Sequence, residues 1–247
     1  MNGRRIAIAG FLLACVGAMP EAASAQPVAD APAKPAAPAS VAPSPADAQP
    51  ASPTGDASAL VARIQAFYDG VTDYRASFRQ VVQRRSPRRT FTRSGTVYFK
   101  KPGMMRWDYK VPDAVHYVSD GQVLWSYDVA EGVAFRMPIA DSDLFHALGF
   151  LTGTARLADV FDATGGAPAA DGLASVRLVP RGGESGYRAV TLFADPATGE
   201  VRQTEVEDPV GNVSHLWFDQ PSYKALPAKG FVFKVPAGVR VEEIGSE

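Results

Sequence analysis

Between Gly95 and Asp128 the chain places a large apolar side chain at every second position. Val97 and Phe99, then Met105, Trp107 and Tyr109, then Val123, Trp125 and Tyr127 keep this rhythm, with a Lys-Pro-Gly turn and an Asp-Gly turn between runs. A period of two puts alternate side chains on one side of a strand, so the segment must fold as a meander with an aromatic and methionine-bearing face. That face is either a dry core or the wall of a site for apolar ligands. Small closed cores are filled mainly by Val, Leu and Ile, whereas Trp, Tyr, Phe and Met suit adaptable apolar sites.

Residues 1–25 read as an export signal: Arg4 and Arg5 are the positive start, Ile6 to Met19 are apolar, Pro20 breaks the run, and Ala23-Ser24-Ala25 is a small-residue cleavage site. The apolar run is shorter than the about 20 residues that span a bilayer. Leu12-Leu13-Ala14-Cys15 also resembles a lipidation site. Lipidation at Cys15 would make that residue the mature N-terminus and anchor the protein to a membrane. Cleavage after Ala25 instead removes Cys15, the single cysteine, and leaves a domain held by its core alone. Three scattered histidines do not suggest a metal site, and a formal net charge of −1 does not suggest a nucleic-acid partner. Residues 26–55 are nearly all Ala, Pro, Ser, Gln, Val and Asp, the composition of an extended linker.

Residues 56–247 read as one domain. Asp56 or Ser58 can cap a helix that presents Leu60, Val61, Ile64, Phe67 and Tyr68 on one face and ends at Gly70. Strand patterns follow at 74–83, 91–100, 104–110, 114–119, 122–128 and 132–137, and again at 174–180, 187–194, 199–208, 212–219 and 230–235. Between the two sets the rhythm breaks. Asp141-Ser142 can cap a helix presenting Leu144, Phe145, Leu148 and Leu151, and Thr154 another presenting Leu157, Val160 and Phe161. About eleven antiparallel strands usually curl into a barrel or split into a sandwich. The two apolar mid-sheet helices then bury themselves at the mouth or interior of a curled sheet.

No catalytic constellation is legible. There is no Gly-x-Ser-x-Gly elbow, no glycine-rich phosphate loop and no histidine pair at ligand spacing. Glu205 and Glu207 share a strand face and read as solvent-facing carboxylates, and His215 as a strand histidine. Lys101, in the Lys-Pro-Gly turn, is either a solvated turn residue or a rim cation that hydrogen-bonds helix carbonyls and latches a lid. Arg84 to Arg89 form an arginine-rich link between two strands, either solvated or facing an acidic partner surface or anionic lipid heads.

Several of these pieces together resemble the LolA family of periplasmic outer-membrane lipoprotein carriers. They are Ala76-Ser77-Phe78 followed by Gln80, Gly95-Thr96-Val97-Tyr98-Phe99-Lys100-Lys101-Pro102-Gly103, Arg106-Trp107-Asp108-Tyr109, and Val118-Ser119-Asp120-Gly121 with Leu124-Trp125 and Tyr127. The Asp208 and Gly211-Asn212 turn and the closing Pro236-Ala237-Gly238-Val239 also fit. The resemblance implies an incomplete antiparallel barrel with a helical lid over an apolar cavity. It implies a cargo of triacylated lipoproteins, taken from an inner-membrane lipoprotein-releasing ABC transporter and passed to an outer-membrane acceptor, without cofactor or covalent chemistry. With Cys15 lipidated, the same fold implies instead a membrane-anchored lipoprotein acceptor or envelope sensor. The cavity is then expected at Phe99, Met105, Trp107, Tyr109, Trp125, Tyr127, Leu144, Phe145 and Leu148, with Lys101 as latch. Two positions depart from the family. An arginine that holds the lid closed is replaced by Lys101, which keeps the charge without the planar fork. A family phenylalanine corresponds to Met105.

Overall fold

The alternating runs form strands, and in the computed structural model twelve of them join into one continuous sheet. The structure describes residues 54–139, 148–165, 169, 171–182 and 186–244. Helix α1 (Thr54–Asp69) leads into a meander of β1 (Asp73–Arg84), β2 (Arg89–Lys100), β3 (Met104–Val111), β4 (Val115–Ser119), β5 (Val123–Asp128) and β6 (Val133–Pro138). Two one-turn helices, Gly149–Thr152 and Leu157–Val160, precede a second meander. It comprises β7 (Phe161–Gly165), β8 (Ala174–Pro180), β9 (Ala189–Ala194), β10 (Val201–Glu207) and β11 (Val213–Ser222). A final short strand, β12 (Arg240–Glu243), follows.

The last strand of the second meander pairs antiparallel with the first strand of the other, β11 against β1, which makes one sheet of the two. The order is β12-β6-β5-β4-β3-β2-β1-β11-β10-β9-β8-β7, and the two edge strands do not pair with each other. The barrel is therefore incomplete. β12 adds to β6 in parallel, whereas the other neighbours are antiparallel.

Strand parity places the core. On β1, Tyr74, Ala76, Phe78 and Val82 are buried while Arg75, Ser77 and Arg79 are exposed. Phe78 stands opposite Gly95 on β2, and a Cβ at Gly95 would lie 2.0 Å from the Asp108 carbonyl oxygen and 2.9 Å from the Phe78 ring. Only glycine allows this approach of β2 to β3, at the point where their register shifts.

Two apolar clusters fill the inner side. One gathers Leu60, Val61, Ile64 and Tyr68 of α1 with Val176, Leu178, Val190 and Leu192 of β8 and β9. The other gathers Tyr74, Phe78, Val97, Phe99, Met105, Trp107 and Tyr109 of β1 to β3 with Leu124, Met137 and Leu216. Val71 and Leu151 pack against both clusters.

Three expectations from the sequence need correction. Helix α1 begins at Thr54, so Asp56 and Ser58 lie within it rather than ahead of it. Phe161 opens strand β7 instead of closing a helix. Residues 230–235 alternate like a strand but make no ladder; a 3-10 turn at Ala228–Phe231 leads into a strap across the sheet's outer side. There Phe231 is buried, and the Phe233 ring lies 5.2 Å from Trp125 and 5.6 Å from Tyr127. The terminal pairing belongs to β12. The helix expected from Asp141 falls outside the described residues as far as Ala147; Gly149–Thr152 is helical.

Candidate functional site

A cavity of about 40 Å³ lies where the two clusters meet. Tyr74, Phe99, Trp107 and Phe218 wall it from one cluster's side, and Tyr68, Val190, Leu192, Val201 and Val206 from the other. Leu148, Phe150 and Leu151 of the short helical segment complete it, with Thr204 as a polar side chain in the lining. This volume admits only a few waters. Drug-sized ligands occupy about 300–1,000 Å³, so a long ligand enters only if the cover moves and the side chains repack.

The cover is tied down by a small set of polar contacts. The Lys101 ammonium donates to the Tyr68 carbonyl, and at 3.5 Å to the Asp69 carbonyl, at the C-terminal end of α1. Those carbonyls have no partner within the helix, and the helix dipole favours a cation there. The Lys101 stem runs past Gly153, where a Cβ would meet its Cδ at 3.0 Å. Two residues on, the Gly103 N–H donates to the Thr152 carbonyl at 3.0 Å. One turn thus holds the end of α1 and the end of the Gly149–Thr152 helix. Gln65 of α1 accepts from the Leu157 N–H at 2.9 Å, fixing the next helix.

The phenols at the site stay neutral. Burial pushes Tyr68 and Tyr74 well above the ordinary tyrosine range, and the Tyr68 hydroxyl accepts from the Val201 N–H at 3.2 Å. On the outer side, Asp108 takes a 2.8 Å ion pair from Arg106 and a 2.6 Å contact from His116 Nδ1. Arg106 also donates to the Gly230 carbonyl at 3.0 Å, pinning the C-terminal strap. Arg106-Trp107-Asp108-Tyr109 therefore splits by parity: aromatics inward, ions outward.

Of the expected cavity residues, Phe99, Trp107 and Leu148 line the cavity. Met105 and Tyr109 are buried in the same cluster without lining it. Trp125 and Tyr127 are on the other face. Leu124 pairs with Ser119, itself paired with Met105, so Leu124 takes the inner side and its neighbours turn outward onto the strap. A one-residue difference in parity reverses every side chain of a strand. Leu144 and Phe145 lie outside the described residues.

The lining from β9, β10 and β11 was not anticipated from the sequence. Val190, Leu192 and Phe218 follow strand alternation and were available to that reading. Val201 and Thr204 were not: a register shift between Val201 and Gln203 turns both inward at a spacing that breaks period two.

Known proteins resemble this chain in sequence and in fold. The profile of the family described as "Outer membrane lipoprotein carrier protein LolA" matches residues 69–234. An outer-membrane lipoprotein carrier protein of Methylobacillus flagellatus is 30% identical over 182 residues, covering 73% of this chain and 87% of that protein. One of Methylococcus capsulatus is 32% identical over 186 residues, covering 73% and 86%. Among solved structures, an uncharacterized conserved protein from Thermus thermophilus superimposes with a TM-score of 0.50 at 13% identity, covering 76% of this chain and 99% of that one, a likeness of fold.

Proposed function

Because the chain belongs to the outer membrane lipoprotein carrier (LolA) family, we propose that it is a periplasmic carrier that shields the acyl chains of lipoproteins in the cavity between its two clusters. It takes them from an inner-membrane transporter and hands them to an acceptor at the outer membrane. The cavity is the observation that supports this reading: nearly all its lining is carbon, and its cover is held by a few hydrogen bonds at the cover's ends.

The energetics suit a reversible grip. Each methylene taken from water contributes about 0.8 kcal/mol, so eight methylenes offer about 6 kcal/mol. A hydrogen bond nets only about 1 kcal/mol, and one to a charged group about 1.5–3 kcal/mol. Burial of even eight methylenes therefore exceeds the contacts that close the cover, and release follows when a second apolar site takes up the chain. Lys101 is the latch in this account, acting on α1 directly and on the Gly149–Thr152 helix through its turn.

The test is purification from the native periplasm followed by mass spectrometry of whatever co-purifies. Acylated lipoproteins should accompany the wild type and be lost from Phe218→Glu, which puts a charge at the cavity wall while leaving the fold measurable by circular dichroism. Wild-type protein free of acylated cargo, or cargo retained by the variant, would contradict the reading.

A further inference from the structure

We propose that Trp107 reads the head of a bound chain: its indole N–H donates to the ester or amide carbonyl by which an acyl chain is joined, so that the cavity prefers acyl over plain alkyl chains. The inference rests on the carrier reading and names the ligand chemistry of that same cavity. Trp107 is 2% exposed, and its Nε1 has no hydrogen-bond acceptor among the described residues. Its nearest ring neighbours are aromatic, with centroids at 5.1 Å for Phe78, 6.1 Å for Phe99 and 6.3 Å for Phe218.

A buried donor without an acceptor is costly and uncommon in folded proteins. The other polar group of the lining that is fully buried is served: Tyr68 Oη takes the Val201 N–H. Phenylalanine at position 107 would supply an aromatic wall without that cost. The indole is also part of the cavity wall, in a lining that otherwise offers mostly carbon. A hydrocarbon tail cannot use the N–H, but a carbonyl at the head of the chain can. The tail then runs toward Val190, Leu192 and Val206 across the cavity. The carbonyl would fix how far the chain enters as well as which chains are accepted.

The experiment measures displacement of a bound apolar fluorophore, N-phenyl-1-naphthylamine, by two probes of equal chain length: a dipalmitoyl glyceryl ester and the dihexadecyl glyceryl ether. Trp107→Phe should weaken the ester by about three- to tenfold, the range of one neutral hydrogen bond, and leave the ether unchanged. Equal weakening of both overturns this role for Trp107 while sparing the carrier reading. If neither probe displaces the dye from the wild type, the carrier reading fails and this role with it. A second measurement needs no core variant. The chain has three tryptophans, and in the Trp125→Phe/Trp217→Phe protein the remaining indole resonance is Trp107's. It should move on adding the ester and not the ether; a signal unmoved by the ester, or moved alike by both, overturns the proposal.

Discussion

The ammonium of Lys101 donates to the main-chain carbonyl of Tyr68, joining the β2–β3 turn to the last turn of α1. Tyr68 also lines the cavity with its ring, so the latch acts on the residue that walls the site. Lys101→Met should cost about 1–2 kcal/mol by urea unfolding and speed entry of an apolar fluorophore. Lys101→Arg should keep most of the stability. Unchanged entry in Lys101→Met would remove the latch from the account.

Gly95 is fixed by space rather than by turn geometry. Gly95→Ala drives a methyl into the Asp108 carbonyl and should cost at least about 3 kcal/mol. Gly230, where a Cβ meets nothing within 4 Å, is the control. Gly230→Ala should stay within about 0.5 kcal/mol. Chemical denaturation of both variants decides it, and similar losses would contradict the close approach of β2 and β3.

Asp108 makes stability depend on pH. Burial pushes its carboxyl up, but hydrogen bonds from His116 and Arg106 outweigh that and hold it below the usual carboxylate range. A carboxyl lowered by folding contributes fully above its unfolded value of about 3.9, and the contribution is lost as pH falls through the lower folded value. Urea midpoints measured downward from about pH 5 should fall less steeply for Asp108→Asn than for the wild type. Parallel curves would mean that the Arg106–Asp108–His116 cluster adds no pH-linked stability.

The two faces of the sheet separate stability from uptake. Trp125→Ala strips an outer-face ring from Phe233 and should cost about 1–2 kcal/mol with fluorophore uptake unchanged. Phe218→Glu should abolish uptake. Uptake lost on Trp125→Ala would return that residue to the site.

Much of the fold was legible because alternation is a local property. The meander of β1 to β6 follows from runs such as Tyr74–Val82 and Met105–Tyr109, whose parity the structure keeps. Trp125 and Tyr127 show where this stops: alternation says that they share a face, but register against β4 decides which face. That in turn depends on a C-terminal strap more than 100 residues away, which gives the aromatics a second apolar surface to cover. Val201 and Thr204 were hidden by a register shift, and the ladder that replaces the expected strand at 230–235 is set by β6 offering an edge. Lys101 was visible as a rim cation, while its contact with the end of α1 depends on how the helix is placed over β7 and β8.

Photocrosslinking at two adjacent residues of β11 tests the cavity most directly. Phe218 lines the cavity, whereas Trp217 stacks on the outer side between His215, 4.0 Å away, and the Arg79 guanidinium, 3.8 Å away. With a benzophenone amino acid placed at either position and the protein irradiated in cells, position 218 should trap acylated lipoproteins and position 217 should not. Equal trapping at both, or trapping at 217 alone, would contradict a cargo held in the cavity.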